Sequence, residues 1–215
     1  MPGLAQLDAL ADAQALFVGG IVQRGASPAL PDGVQSLALL APDGPRFWAQ
    51  FTTSPEYADG QPNPLDRWSH RVIRAMAAEL GAQALFPFGE TPPYPFYGWA
   101  LASGRAFASP VLWLVHDRAG LWLSFRGALA FGERVEQPAS QNPCTGCAQP
   151  CVTACPVGAL TDKGYDLAAC HAYLDTSAGA RCLSHGCAVR AACPVSQAHG
   201  RNPDQSAFHM RQFHP

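Results

Sequence analysis

PCTGCAQPCVTACP (residues 143–156) and CLSHGCAVRAACP (residues 182–194) are the two runs around which this chain is organised. With Cys170 between them they hold all eight cysteines of a 215-residue sequence, and none lies in residues 1–143. The first run reads Cys144-x2-Cys147-x3-Cys151-x3-Cys155, the second Cys182-x4-Cys187-x5-Cys193, and each closes on Cys-Pro, at Pro156 and Pro194. That closure has a mechanical consequence. Proline fixes its own φ and keeps the residue before it out of the helical region, so Cys155 and Cys193 are expected to leave their loops extended, with their thiols directed away from their own run.

Eight thiols satisfy two [4Fe–4S] cubes with none left over, because four thiolates hold each cube. The pattern resembles the bacterial two-cluster ferredoxin module, C-x2-C-x2-C-x3-C-P, in which the Cys-Pro cysteine of one run ligates the other run's cluster. Here one extra residue precedes Cys151, and the gaps around Cys187 are longer. The crossing assigns Cys144, Cys147, Cys151 and Cys193 to one cluster and Cys155, Cys170, Cys182 and Cys187 to the other. Eight cysteines also admit two rival readings. Disulfides need an oxidising compartment, yet the opening MPGLAQLDALADAQALF has no basic n-region and is interrupted by Asp8 and Asp12, so no secretory signal is expected. Two all-cysteine zinc sites are the stronger rival, but zinc modules favour paired Cys-x2-Cys knuckles, and only Cys144/Cys147 has that spacing.

Composition bounds the remainder. Hydrophobic residues make up 48% and charged residues 14%, the latter well under the ~25% of an average soluble protein. This supports a packed core, and the length suits one ordinary domain with a small second one. The formal charge is −2 with no basic stripe, which argues against nucleic-acid binding through phosphate neutralisation. No apolar run approaches the ~20 residues that span a bilayer. A protein of the reducing cytoplasm, with no membrane partner, is the expectation.

Outward from the cysteines, Leu4, Leu7 and Leu10 predict an amphipathic helix over 4–15, and LFVGGIV (16–22) and VQSLALL (34–40) predict buried strands, with Pro28, Pro31 and Gly33 in the loop between them. FWAQFTTSPEYADG (47–60) leans towards helix. A longer helix follows, with Asn63 as cap, Pro64 in its first turn, Leu65, Trp68, Val72, Met76 and Leu80 on one face, and Gly81 as its stop. Arg67, Arg71 and Arg74 read as its solvated side. ALFPF (84–88) predicts an edge strand, and TPPYPFYGWA (91–100) is too proline-rich for regular structure. VLWLV (111–115) and LWLSFRGALAF (121–131) predict a hairpin turning at 116–120. Polar residues 132–143 mark a linker, so the expected division is 1–131, then 132–143, then a cluster module over 144–215. His171 and His185, beside cluster cysteines, suit hydrogen bonds to a cluster better than ligation, and the histidine-bearing tail is expected to pack over the module.

The order of these parts resembles the epoxyqueuosine reductase family, a cobalamin-binding α+β domain followed by a two-cluster ferredoxin domain. CTGCAQPCVTACPVGAL, the lone Cys170 in ACHAYLD, the final run ending in Cys-Pro, and the helix DRWSHRVIRAMAAEL (66–80) carry the likeness. LWLVHDRAGLWLSFRGALAF (112–131) is similar to the hairpin of the cobalamin-processing decyanase/dealkylase family, which shares the flavin nitroreductase-like sheet. The resemblance implies an α+β N-terminal domain of nitroreductase or cobalamin-processing type and a small, loop-rich di-cluster module. It implies electron transfer from a low-potential donor (ferredoxin, flavodoxin or a reductase) through two [4Fe–4S] clusters to a corrinoid (cobalamin), or second a flavin. The hairpin is then the candidate cofactor wall: Trp122 offers a flat face, Arg126 a partner for a carboxylate or phosphate, and His116 a hydrogen bond. Two other functions stay open: a binding or assembly protein that metal merely staples, and a cobalamin-handling protein whose clusters sense redox state.

Overall fold

The computed structural model describes residues 3–26 and 30–215, so Pro28 lies outside the described residues. In chain order the elements are α1 (Leu4–Ala13), β1 (Leu16–Gln23), β2 (Ser36–Pro42), α2 (Gly44–Thr52), α3 (Pro55–Ala58), α4 (Pro64–Leu80), β3 (Gln83–Leu85), α5 (Phe96–Ala102), β4 (Ala106–Ala108), β5 (Leu114–His116) and β6 (Gly127–Phe131). A 3-10 turn (Pro150–Thr153) and the short β7 (Leu160–Thr161) and β8 (Gly164–Tyr165) follow. Then come α6 (Leu167–Leu174), α7 (Ala180–His185), α8 (Ala188–Ala192), α9 (Pro194–His199) and α10 (Pro203–Phe213). Helix and strand are thus mixed, as an α+β chain requires. No helix among the described residues is long and apolar enough to cross a membrane.

The chain forms two compact units, and the division is not the expected one. The first comprises Met1–Ala106 with Ser124–Ser140, the second Phe107–Leu123 with Gln141–Pro215. Residues 107–123 therefore leave the N-terminal part and join the cysteines.

The first unit is built on an antiparallel sheet in the order β1-β2-β6-β3. All seven residues of β2 and all five of β6 are buried, as befits the two inner strands. Helix α4 runs from Pro64 to the left-handed Gly81, as its sequence predicts. Asn63, however, is itself left-handed at φ 52° and makes no side-chain cap. Trp68 on α4 meets Phe47 and Phe51 of α2 edge-on, at 5.3 and 6.1 Å between ring centres, and buried aromatic pairs of this geometry add to plain area burial. Gly127 lets α4 approach β6. A Cβ there would stand 2.7 Å from Ile73 Cδ1 and 3.0 Å from Leu85 O. The aromatic stretch 91–100 departs from expectation, for it ends in helix α5. Its prolines, at 92, 93 and 95, all precede Phe96, so none interrupts the helical hydrogen bonds.

Two further corrections concern residues 111–143. The expected hairpin does not form: β5 is three residues long, a single bridge joins His116 to Gly120, and β6 instead pairs with β2 and β3. An apolar run can be buried on any core that offers a face, and here its two halves are buried in different units. Nor is 132–140 a free linker. Ser36 Oγ donates to Glu133 O at 2.7 Å and accepts the Val135 N–H at 3.1 Å, while Gln23 Nε2 donates to Val135 O at 2.6 Å. Ser36 is fully buried. Ser36→Ala should leave the Val135 N–H without its partner and cost about 1–3 kcal/mol. The Val135 amide should then exchange with solvent roughly tenfold faster or more, which hydrogen exchange reads directly.

Candidate metal centres in the cysteine-bearing unit

The second unit has little apolar bulk of its own beyond the cysteines, and residues 107–123 supply it. Val111, Val115 and Leu121 are buried in one cluster with Leu160, Val189, Cys151 and Cys193, with Phe107, Trp113, Cys144, Cys155 and Cys187 packed against it. The segment is also tied by its backbone. Leu121 N–H donates to Ser196 Oγ at 2.8 Å, and Leu121 O accepts Arg190 Nη1 at 2.9 Å. Gly120 makes this approach possible, at φ +56° and with Ser196 N only 2.4 Å from where a Cβ would be.

All eight cysteines are free thiols. Cys144, Cys147, Cys151 and Cys193 line one hollow, walled by Pro143, Pro150, Pro194, Val115, Leu121 and Val195. Burial is the main cause that pushes the Cys144 thiol upward, and the other three thiols of this hollow add to it. The Cys151 thiol is raised likewise, by burial first and then by Cys193. The other four also lie within electrostatic reach of one another. Burial raises Cys182, and Cys155 and Cys170 reinforce the shift; Cys187 is raised by burial, with Cys182 adding to it. Tyr165 touches the same group: burial, then a hydrogen bond with Cys170, hold its hydroxyl firmly in the phenol form. The structure thus gathers the thiols four and four, with Cys193 beside the first run and Cys155 beside the second.

Local chemistry explains the gathering. Cys193 is extended at φ −67°, ψ 125°, between α8 and α9, with Pro194 opening the latter. It therefore leaves its own run, as a residue before proline should. Cys187 precedes α8, and the N–H groups of Val189 and Arg190 oppose the rise of its thiol. Gln149 N–H points at Cys147 Sγ and Ala159 N–H at Cys155 Sγ, both at 3.3 Å. Such donors stabilise sulfur that carries negative charge, and they are among the means by which a protein sets cluster potential.

Eight free thiols are the number of donors that two [4Fe–4S] cubes take, four to each, so the donor set fits such groups in kind and number. Among the described residues no three His, Cys, Asp or Glu side chains converge to hold one ion.

The remaining candidates fall elsewhere. Arg126 lies in the first unit, where it pairs with Asp66, donates through Nε to Ser69 Oγ at 3.0 Å and sits 5.2 Å above the Phe88 ring. Trp122 and His116 belong to the second unit. Arg201 lies 5.2 Å over the Trp122 ring. The fully buried His116 accepts the N–H groups of Arg118 and Ala119 through Nδ1, at 3.0 and 3.3 Å. Each of the three thus has an internal role, and they do not share a unit. His171 Nδ1 meets His214 Nδ1 at 2.7 Å, and His185 Nδ1 meets Ser184 Oγ at 2.8 Å. The tail does pack on the module, with α10 against α7. On α4, Arg67 pairs with Asp59 and Arg71 with Glu56, whose carboxyl Arg71 holds below its usual range. With Asn63, Asp66, His70, Arg74, Phe88 and Gly89 they border an open groove of about 670 Å³.

Arg190 and Arg201, partly buried against Trp113 and Trp122, carry no signal in the sequence. An arginine three residues from a cysteine carries no mark in sequence of being drawn into a core. No family model matches the chain, and no curated protein or solved structure matches it either.

Proposed function

We propose that the second unit is a two-[4Fe–4S] electron-transfer module, with Cys144, Cys147, Cys151 and Cys193 holding one cluster and Cys155, Cys170, Cys182 and Cys187 the other. The observation that carries this reading is the four-and-four grouping of eight free thiols, in which Cys193 and Cys155 change partners. When bound, the clusters supply one-electron chemistry at a potential set by hydrogen bonds, charge and solvent access. The chain's own residues do the rest. Val115, Leu121, Val195 and three prolines wall the first hollow against water, and the N–H groups of Gln149 and Ala159 receive negative sulfur.

The resemblance to the epoxyqueuosine reductases supplies the direction of flow: from a low-potential donor, through the module, to a corrinoid first or a flavin second, carried by the first unit. The antiparallel sheet with α4 against it is the part we relate to the nitroreductase and cobalamin-processing domains. The α4 groove supports a phosphate-bearing cofactor, since Arg67, Arg71, Arg74 and His70 line it beside Phe88.

The test is the metal itself. Anaerobic reconstitution should give a brown protein with two cubes' worth of iron and acid-labile sulfide per chain, bleached by dithionite. One cube's worth, or stoichiometric zinc in place of iron, refutes the reading. Clusters that no accessible potential reduces would leave the structural staple as the better account.

A further inference from the structure

One hydroxyl of the second unit is buried with nothing to bind. Ser109 is 5% exposed, and its Oγ has no hydrogen-bond partner among the described residues. Ser109 also lines the hollow of Cys144, Cys147, Cys151 and Cys193, yet none of those four thiols accepts its proton. Apart from the cysteines and Gln149, every other residue of that wall is a proline, a valine or a leucine.

The backbone holds Ser109 in place. Its N–H donates to Trp113 O and its carbonyl accepts the Leu112 N–H, both at 2.9 Å. A tight turn is thereby closed ahead of β5, with Val111 fully buried and Leu112 left-handed at φ 63°. A leucine is strained in that region. Such strain persists only where the surroundings over-determine it, and ligand sites are among the places where it gathers.

Buried polar groups are nearly always hydrogen-bonded, because a buried donor left without a partner forfeits the bonds it made to water. Alanine would fit this apolar wall at no such cost. A serine hydroxyl carries one proton to donate, and the residues around Ser109 offer it no acceptor. The space it borders is the hollow.

From the orphaned hydroxyl and the wall on which it stands, we infer that Ser109 is a hydrogen-bond donor to the centre held by Cys144, Cys147, Cys151 and Cys193. A sulfur of that centre is the acceptor, and the bond makes the centre easier to reduce. The inference rests on the cluster reading above. Reduction moves one electron from a one-electron donor onto the centre, with no bond made or broken and no proton taken. The negative charge on sulfur rises, and an O–H donor binds the more negative sulfur more strongly, so it favours the reduced state.

The experiment uses the whole reconstituted protein, reduced with dithionite, with Cys144→Ser and Cys182→Ser preparations to assign the two paramagnetic signals. Electron–nuclear double resonance in H2O and D2O should show an exchangeable proton coupled to the Cys144-dependent signal. Ser109→Ala should lose that coupling and Ser109→Thr should keep it. In a mediated redox titration Ser109→Ala should lower the reduced-to-oxidised ratio of the same centre about fivefold at a given poise. That is about 40 mV for one electron, at about 59 mV per tenfold. Ser109→Thr should move it by less than a third as much, and the exposed Ser177→Ala should not move it. The Cys182-dependent centre should stay where it is in all three. Iron and sulfide content checks loading; should Ser109→Ala not load, the isosteric pair Ser109→Thr and Ser109→Val decides in the same way. An unchanged potential with the coupling intact in Ser109→Ala assigns the proton to water or a backbone amide and overturns the inference alone. So does a shift confined to the Cys182-dependent centre. Wild-type protein that takes up no iron and sulfide overturns the cluster reading and the inference with it.

Discussion

Cys193→Ser should destroy the same cluster that Cys144→Ser destroys, although 49 positions separate them in the sequence. Cys155→Ser should likewise pair with Cys182→Ser. On the proposed ligation each substitution removes a thiolate bound to iron itself, so the loss should exceed the ~10–100-fold that removal of an outer hydrogen-bond partner costs a metal site. The expectation rests on the extended Cys193 before Pro194, on the hollow that Cys193 shares with Cys144, Cys147 and Cys151, and on the interactions of Cys155 and Cys170 with Cys182. In reduced samples each single variant should lose one of two paramagnetic signals and keep the other. Damage that segregates by run instead, with Cys144→Ser and Cys155→Ser losing the same signal, would mean that each run holds its own cube and would refute the crossing.

Removal of metal should unfold the second unit and spare the first, and residues 107–123 should go with the cysteines. The second unit's core is a small apolar cluster closed by Cys151 and Cys193 themselves, so under the proposed function ligation supplies much of its folding free energy. The first unit has fully buried Leu37, Leu39, Leu40, Phe47, Phe51, Trp68 and Leu129 to hold it. On chelation, amides over 109–122 and 144–199 should lose protection by several orders of magnitude, while those of β2 and β6 keep theirs. The Leu121 amide is the decisive probe, since its acceptor is Ser196 Oγ and not the sheet. If residues 109–122 remain protected together with β6, the segment folds with the first unit and the division described above fails. Equal protection of both units without metal would show that ligation contributes little to the second.

Much of this protein was legible in its sequence, wherever the governing physics is local. Pro64 and Gly81 bound α4 because one fits a first helical turn and the other tolerates a left-handed end. LFVGGIV and VQSLALL gave rise to β1 and β2 because short, predominantly apolar runs bury well on both faces of a strand. Proline 194 alone made Cys193 extended. From the thiol spacing comes the proposal of a four-thiolate donor set for each cluster, with partners exchanged between the runs. What the sequence could not decide was which core each apolar segment would join. VLWLV and GALAF read as one hairpin, since alternation and turn residues describe a strand but not its neighbour; in the fold, β6 found β2 and β3, while Val111 and Val115 filled a cysteine-rich core short of large side chains. Arg126 found its carboxylate at Asp66, sixty positions away, and Arg190 found Trp113 and Leu121 O instead of any carboxylate. Hydrogen-bond geometry and proline sterics act over a few residues and are written in order along the chain. Burial and charge compensation are satisfied by whatever the fold brings near, and only the tertiary structure decides that.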